Sequence, residues 1–171
     1  MSQTQNAPLI ALVLSAFATL GCGGKARPAH PEGPLSLTLQ TVDGQVIDLR
    51  ALRGRPVVLH VFATWSLTAQ GDLSQLVSAH EERAEKVTII GVALDLDGPN
   101  LVAPWQRANG ISYPIVLSDE ALRTGRSALG RIVEVPTTII LRADGRVAHW
   151  LPRPLADGEL LRLLRGVLPS R

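Results

Sequence analysis

Cysteine is nearly missing from this chain: Cys22 is the only one in 171 residues. A single cysteine can form neither an intramolecular disulfide nor a cysteine-rich metal site. Lysine is almost as scarce. Of 17 basic residues only Lys25 and Lys86 are lysine, and aromatic residues make up 4% of the chain. The arginines are scattered and no basic run is interleaved with aromatics, which excludes a nucleic-acid footprint. A formal net charge of +2 offers no strong field to steer a charged partner. Also lacking is an apolar run of the roughly 20 residues that a permanent membrane-spanning helix needs. What the chain has instead is 46% hydrophobic residues, too many for a disordered polypeptide.

The apolar run from Ala7 to Leu20 has the length of a signal-peptide core. It is followed by Thr19-Leu20-Gly21-Cys22, which resembles a bacterial lipobox, with Thr19 where leucine is usual. That resemblance implies cleavage before Cys22 and lipid on its sulfur. Each buried methylene would then contribute about 0.8 kcal/mol to membrane anchoring. Residues 23–34 hold Gly23, Gly24, Gly33, Pro28, Pro31 and Pro34 without apolar periodicity, the composition of a tether. The expected organisation is a signal peptide over 1–21, a lipidated tether over 22–34 and one domain over 35–171. It places the domain outside the cytoplasm, on a lipid anchor in a bacterial cell envelope.

Within the domain, Leu35 to Gln40 alternates with period two and predicts a half-buried strand, turned back by Asp43-Gly44 into a hairpin. Asp48 is suited to cap a short helical turn over Leu49 to Leu52. The continuous apolar runs Pro56–Ala63 and Val87–Leu94 predict central strands buried on both faces. Leu73, Leu76, Val77 and His80 fall on one side of a helix over Leu67 to Arg83. A short helix over Pro99–Asn109, a short strand over Ile115–Leu117 and weak helix over Ala121–Leu129 follow. Thr137–Arg142, the Asp144-Gly145 turn and Arg146–Leu151 form the clearest hairpin, and a last helix runs from Ala156 to Leu168. This order predicts an α/β fold with a mixed central sheet, helices on both faces and an N-terminal β-hairpin.

Three segments name a family. Val46 to Trp65 carries a leucine-rich turn, Gly54-Arg55-Pro56, an apolar strand and Val61-Phe62-Ala63-Thr64-Trp65. Val135-Pro136-Thr137 and Leu141 to Val147 follow in matching order and spacing. Together they resemble thioredoxins of the TlpA/ResA type, related to the redoxin and AhpC/TSA proteins, from about Leu35 to the C-terminus. The resemblance implies a thioredoxin-like fold, a cis bond before Pro136, an exposed Trp65, and a surface where Val135 presents its backbone to extended peptide. It also implies Cys-x-x-Cys after Trp65, where this chain has Ser66-Leu67-Thr68-Ala69. Disulfide exchange needs one thiolate to attack and a second thiol to resolve, and thiol peroxidase chemistry needs one reactive cysteine. Neither is available, so no catalytic residue is assigned.

Ser66 suits a helix N-cap better than a nucleophile: no Gly-x-Ser-x-Gly surrounds it, and nothing in the spacing of His60, His80 or His149 brings a base to it. His60 reads as a satisfied core or edge histidine and His30 as solvent-facing. Trp105 and Trp150 read as packing residues. Asp95, Asp97 and Asp119 read as solvated loop carboxylates rather than a cation site. The expectation is therefore no metal, no cofactor and no nucleic acid. It places a binding groove at Trp65, Ser66, Leu67, Thr68, Val135, Pro136 and Thr137, its partner an extended polypeptide or envelope protein. Two rivals stand beside it: an oxidoreductase that borrows a partner's cysteines, and a spacer lipoprotein.

Overall fold

The computed structural model describes residues 31–168. The expected signal peptide, Cys22, His30 and most of the expected tether lie outside the described residues.

Seven strands form one sheet in the order β2-β1-β5-β4-β3-β6-β7. They are β1 (Thr38–Thr41), β2 (Val46–Asp48), β3 (Val57–Phe62), β4 (Thr88–Ala93), β5 (Ile115–Leu117), β6 (Thr137–Leu141) and β7 (Val147–Leu151). β3, β4 and β5 run parallel; β1 is antiparallel to β2 and β5, and β6 to β3 and β7. The helices are α1 (Leu67–Gly71), α2 (Leu73–Arg83), α3 (Pro99–Ala108), α4 (Glu120–Arg123) and α5 (Glu159–Arg165). This is the α/β arrangement the sequence implies: a mixed sheet with an N-terminal hairpin.

β3 explains why both faces must be covered. All six of its residues are buried, and successive side chains point to opposite faces. Val58 and Phe62 pack with Leu76, Val102, Leu160 and Leu164 from α2, α3 and α5. Val57, Leu59 and Val61 pack with Leu39, Leu49, Leu122 and Leu129 on the other side. Each such side chain contributes about 1.5–3 kcal/mol on leaving water.

Several boundaries differ from expectation. The helix foreseen over Leu67–Arg83 is two helices meeting at Asp72. The Asp72 carboxylate is turned to accept Leu155 N–H at 2.9 Å, across to the segment before α5, and Gly71 just before it is a weak helix former. Asp48 does not cap a helix. It accepts Arg50 N–H at 2.9 Å and pairs with the Arg50 guanidinium, so residues 49–54 form turns. The first strand begins at Thr38 because Leu35 is drawn down into the core and donates its N–H to Gly145 O. Helix over 121–129 shrinks to the four residues of α4, ended by Gly125 at φ +77°. A Cβ there would also lie 2.9 Å from Arg131 Cβ and 3.0 Å from its Cα, which leaves no room for a side chain.

The C-terminal ends of parallel β3, β4 and β5 and the N-terminal end of antiparallel β6 all lie at one end of the sheet. That end carries the candidate site.

Candidate functional site

Thr64, Trp65 and Ser66 leave β3 at this end. Thr64 is fixed by the strand beside it: its N–H and its hydroxyl both donate to the Asp95 carboxylate, at 3.1 and 2.7 Å. Asp95 is therefore a buried structural acceptor, not the solvated carboxylate expected. Gln70 Nε2 donates to Thr64 O from α1. Ser66 then starts the helix. Its backbone is extended, and its Oγ accepts Ala69 N–H at 3.3 Å and lies 3.1 Å from Thr68 Oγ1. This is the N-cap the sequence predicts. Ser66 is 7% exposed and Ala69 1%, so the two positions sit just under the surface with only a capped hydroxyl and a methyl between them.

No base serves that hydroxyl. Among the described residues Ser66 Oγ has no histidine partner. The buried His60 sits inside β3 with Nδ1 3.0 Å from Thr138 Oγ1, and burial pushes it down to about 4. Its Nε2 has no partner among the described residues, so the expectation of a satisfied histidine holds for one nitrogen only. His80 rests edge-on against Tyr113, and His149, on β7, pairs with Ile140 of β6. Among the described residues there is no thiol, and the bonds of Ser66 Oγ are to Thr68 Oγ1 and Ala69 N–H rather than to a base. Among the described residues no group of three or more His, Cys, Asp or Glu is arranged to hold a metal ion.

Val135-Pro136 is cis, as the resemblance implies. Pro136 and Thr137 are buried and Val135 is half-buried. Thr137 pairs with Val61 in β3, so Val135 and Pro136 enter the sheet beside the strand from which Trp65 to Thr68 leave. Trp65 is 74% and Leu67 80% exposed. Leu96, after β4, and Val133, before β6, are exposed at the same end, at 82% and 66%. The sequence reading missed both; their signals are Leu96 set between Asp95 and Asp97, and the apolar pair Ile132-Val133 set between Arg131 and Glu134. Trp105 stacks on Phe62 with ring centroids 5.0 Å apart and Trp150 packs beside the second core, so both are packing residues as expected.

Behind this end lies a polar junction the sequence reading also missed. Asp72, at the start of α2, is buried. Burial raises its carboxyl to about 6, against the lowering effect of the Leu155 N–H; Glu159 raises it further and Arg153 lowers it. Its Oδ2 is unpartnered among the described residues. Glu159 is held down to about 2 by the Arg153 guanidinium and the Ala156 N–H. Tyr113 is pushed up by burial and by Asp72.

Comparison with known proteins agrees with this geometry. The chain is 22% identical over 152 residues to sporulation thiol-disulfide oxidoreductase A of Bacillus subtilis, covering 87% of this chain and 90% of the relative. It is 25% identical over 145 residues to the thiol-disulfide oxidoreductase ResA of Oceanobacillus iheyensis, covering 84% and 73%. Among solved structures, a thioredoxin-family thiol:disulfide interchange protein from Chlorobium tepidum superposes with a TM-score of 0.70 at 23% identity, over 82% of this chain and 99% of that one. A secreted disulfide oxidoreductase from Mycobacterium tuberculosis gives 0.66 at 18% identity, over 77% and 96%. The fold is thus thioredoxin-like. The AhpC/TSA family profile matches residues 34–150, a stretch that contains no cysteine, and the chain belongs to the AhpC/TSA family.

Proposed function

We propose that this protein is a polypeptide-binding module without redox activity, held outside the cytoplasm on a membrane of the bacterial cell envelope through lipidated Cys22, where it works as an adaptor, holdase or assembly factor. One observation carries the reading. The loop of Trp65 to Thr68 and the cis-proline loop of Val135 to Thr137 keep their places, while Ser66 and Ala69 stand where the chemistry needs thiols. Ser66 preserves the helix start that a cysteine would occupy, so the scaffold survives without the reaction. Exposed Trp65, Leu67, Leu96 and Val133 give an extended chain something apolar to cover, and the backbone at Val135 can add main-chain hydrogen bonds. The extracytoplasmic placement rests on the lipobox-like Thr19 to Cys22 and on the fold it shares with the secreted Mycobacterium protein. Among the described residues no helix is long and apolar enough to cross a membrane.

The test uses a permanently unfolded polypeptide, α-lactalbumin with all cysteines carboxymethylated, which rules out disulfide exchange as the source of binding. The wild-type chain binds it, Trp65→Ala binds it about tenfold more weakly, and neither accelerates insulin reduction by dithiothreitol. Absence of binding sinks the reading. Insulin turnover by the wild-type chain would favour the oxidoreductase that its relatives' names suggest.

A further inference from the structure

The polypeptide surface does not stop at the two loops. β1 runs past the point where β5 ends: β5 pairs only with Gln40 and Thr41, whereas β2 pairs with Thr38, Leu39 and Gln40. Thr38 and Leu39 therefore have a strand on one side and none on the other. The space left is a depression of about 570 Å³ whose lining includes Thr38, Gln40, Val46, Leu117 and Asp119. Val46 is 68% exposed. The notch lies at the end of the sheet that carries Trp65. In strand order this end presents the notch between β1 and β5, then Leu96 after β4, Trp65 and Leu67 after β3, and Val133 and Val135 before β6. Gly98 joins the first two stations, since its Cβ position lies 3.8 Å from Leu117 Cδ1.

Building on the reading above, we propose that these stations form one track, crossing the strand ends from the β1–β5 notch to the cis-proline loop, and that its occupant is an extended apolar peptide with a basic residue at its notch end. Four inter-strand steps of about 4.8 Å make the track roughly 19 Å long, which an extended chain covers with about six residues. An unpaired strand edge in the notch can accept main-chain hydrogen bonds from such a chain. The charge preference follows from the carboxylates. Asp97 and Asp119 are exposed beside Leu96 and the notch and belong to no ion pair among the described residues; Arg123, whose guanidinium donates to Ser118 O at the notch, offsets one of the two, so this end keeps a net negative sign. At the other end Glu134 is accompanied by Arg131 on the same loop, so that end has no net sign.

The test is an NMR titration of the ¹⁵N-labelled full chain with three synthetic peptides: an apolar tripeptide, an apolar hexapeptide ending in lysine, and the same hexapeptide ending in glutamate. The track predicts that the lysine hexapeptide binds at least tenfold more tightly than the tripeptide and more tightly than the glutamate form. It also predicts shifts at Thr38, Val46 and Leu96 as well as at Trp65 and Val135. In Val46→Ser, an exposed substitution in the notch that leaves the core alone, the advantage of length disappears while tripeptide affinity stays. Equal affinity for both lengths, or shifts confined to 65–68 and 135–137, overturns the track and leaves the two-loop groove standing. If no peptide binds, both readings fall.

Discussion

A hydroxyl at Ser66 and a methyl at Ala69 remove the nucleophile and the resolving thiol while leaving the backbone around them in place. The cap formed by Ser66 Oγ on Ala69 N–H sets what the serine is worth: Ser66→Ala should cost about 0.5–2 kcal/mol, read by urea unfolding, with no change in any enzymatic rate. If the scaffold is otherwise complete, Ser66→Cys combined with Ala69→Cys should create insulin-reducing activity that the natural chain, on the proposed reading, lacks. A double variant that folds but stays inert would show that more than the thiols has been lost. Two buried groups set opposite pH dependences. Asp72 rises from its ordinary 3.8 to about 6, so between these values the native state holds a proton that the unfolded chain has released. Its stabilisation is full below 3.8 and is lost as pH rises through 6. His60 falls from 6.5 to about 4. Its contribution is full above 6.5 and is lost as pH falls through 4, because the unfolded chain takes up the proton first. The two windows overlap and oppose. Asp72→Asn should therefore lose stability on acidification from pH 6.5 to 4 more steeply than the natural chain, and His60→Asn should gain over the same range. Parallel pH profiles for all three proteins would contradict the assignment.

At the scale of elements, α5 is docked by apolar and polar contacts together. Leu160 and Leu164 are fully buried, Asp72 receives Leu155 N–H, and Gln75 Nε2 donates to Ala156 O. Leu164→Ala should cost about 2–5 kcal/mol, measured by denaturant unfolding, whereas Leu161→Ala, at a partly exposed position, should cost less. These elements also show what the sequence could reveal. β3 and β4 were legible because an unbroken apolar run has few homes other than a strand covered on both faces, and the β6–β7 hairpin because Asp144-Gly145 separates two apolar stretches. The break at Asp72 was hidden. Helical periodicity is satisfied across it, and the carboxylate's partner, Leu155, lies 83 residues away in sequence. Asp95 was misread for the same reason: an aspartate after a strand looks like a loop carboxylate until the neighbouring strand end brings Thr64 to it. Local pattern located Ser66 as a cap, and the family resemblance marked Trp65 as exposed. Leu96 and Val133 joined the site only when strand order placed their loops at one end of the sheet.

As a whole the proposed molecule is an anchor, a tether and a domain whose exposed apolar side chains gather at one pole. If Cys22 carries the anchor, cells expressing the natural chain should incorporate radiolabelled palmitate into it, and Cys22→Ser should abolish the label and release the protein from membranes. Label persisting in Cys22→Ser would remove the anchor and leave the domain's binding role untouched. The central claim is that a thioredoxin-like scaffold without thiols still grips unfolded polypeptide at its old reactive end. Chemical-shift mapping of the ¹⁵N-labelled chain against carboxymethylated α-lactalbumin tests it most directly. The account predicts saturable shifts centred on Trp65 to Thr68 and Val135 to Thr137, with the far ends of β3 and β4 unaffected. A silent spectrum, or shifts centred elsewhere on the surface, would contradict it.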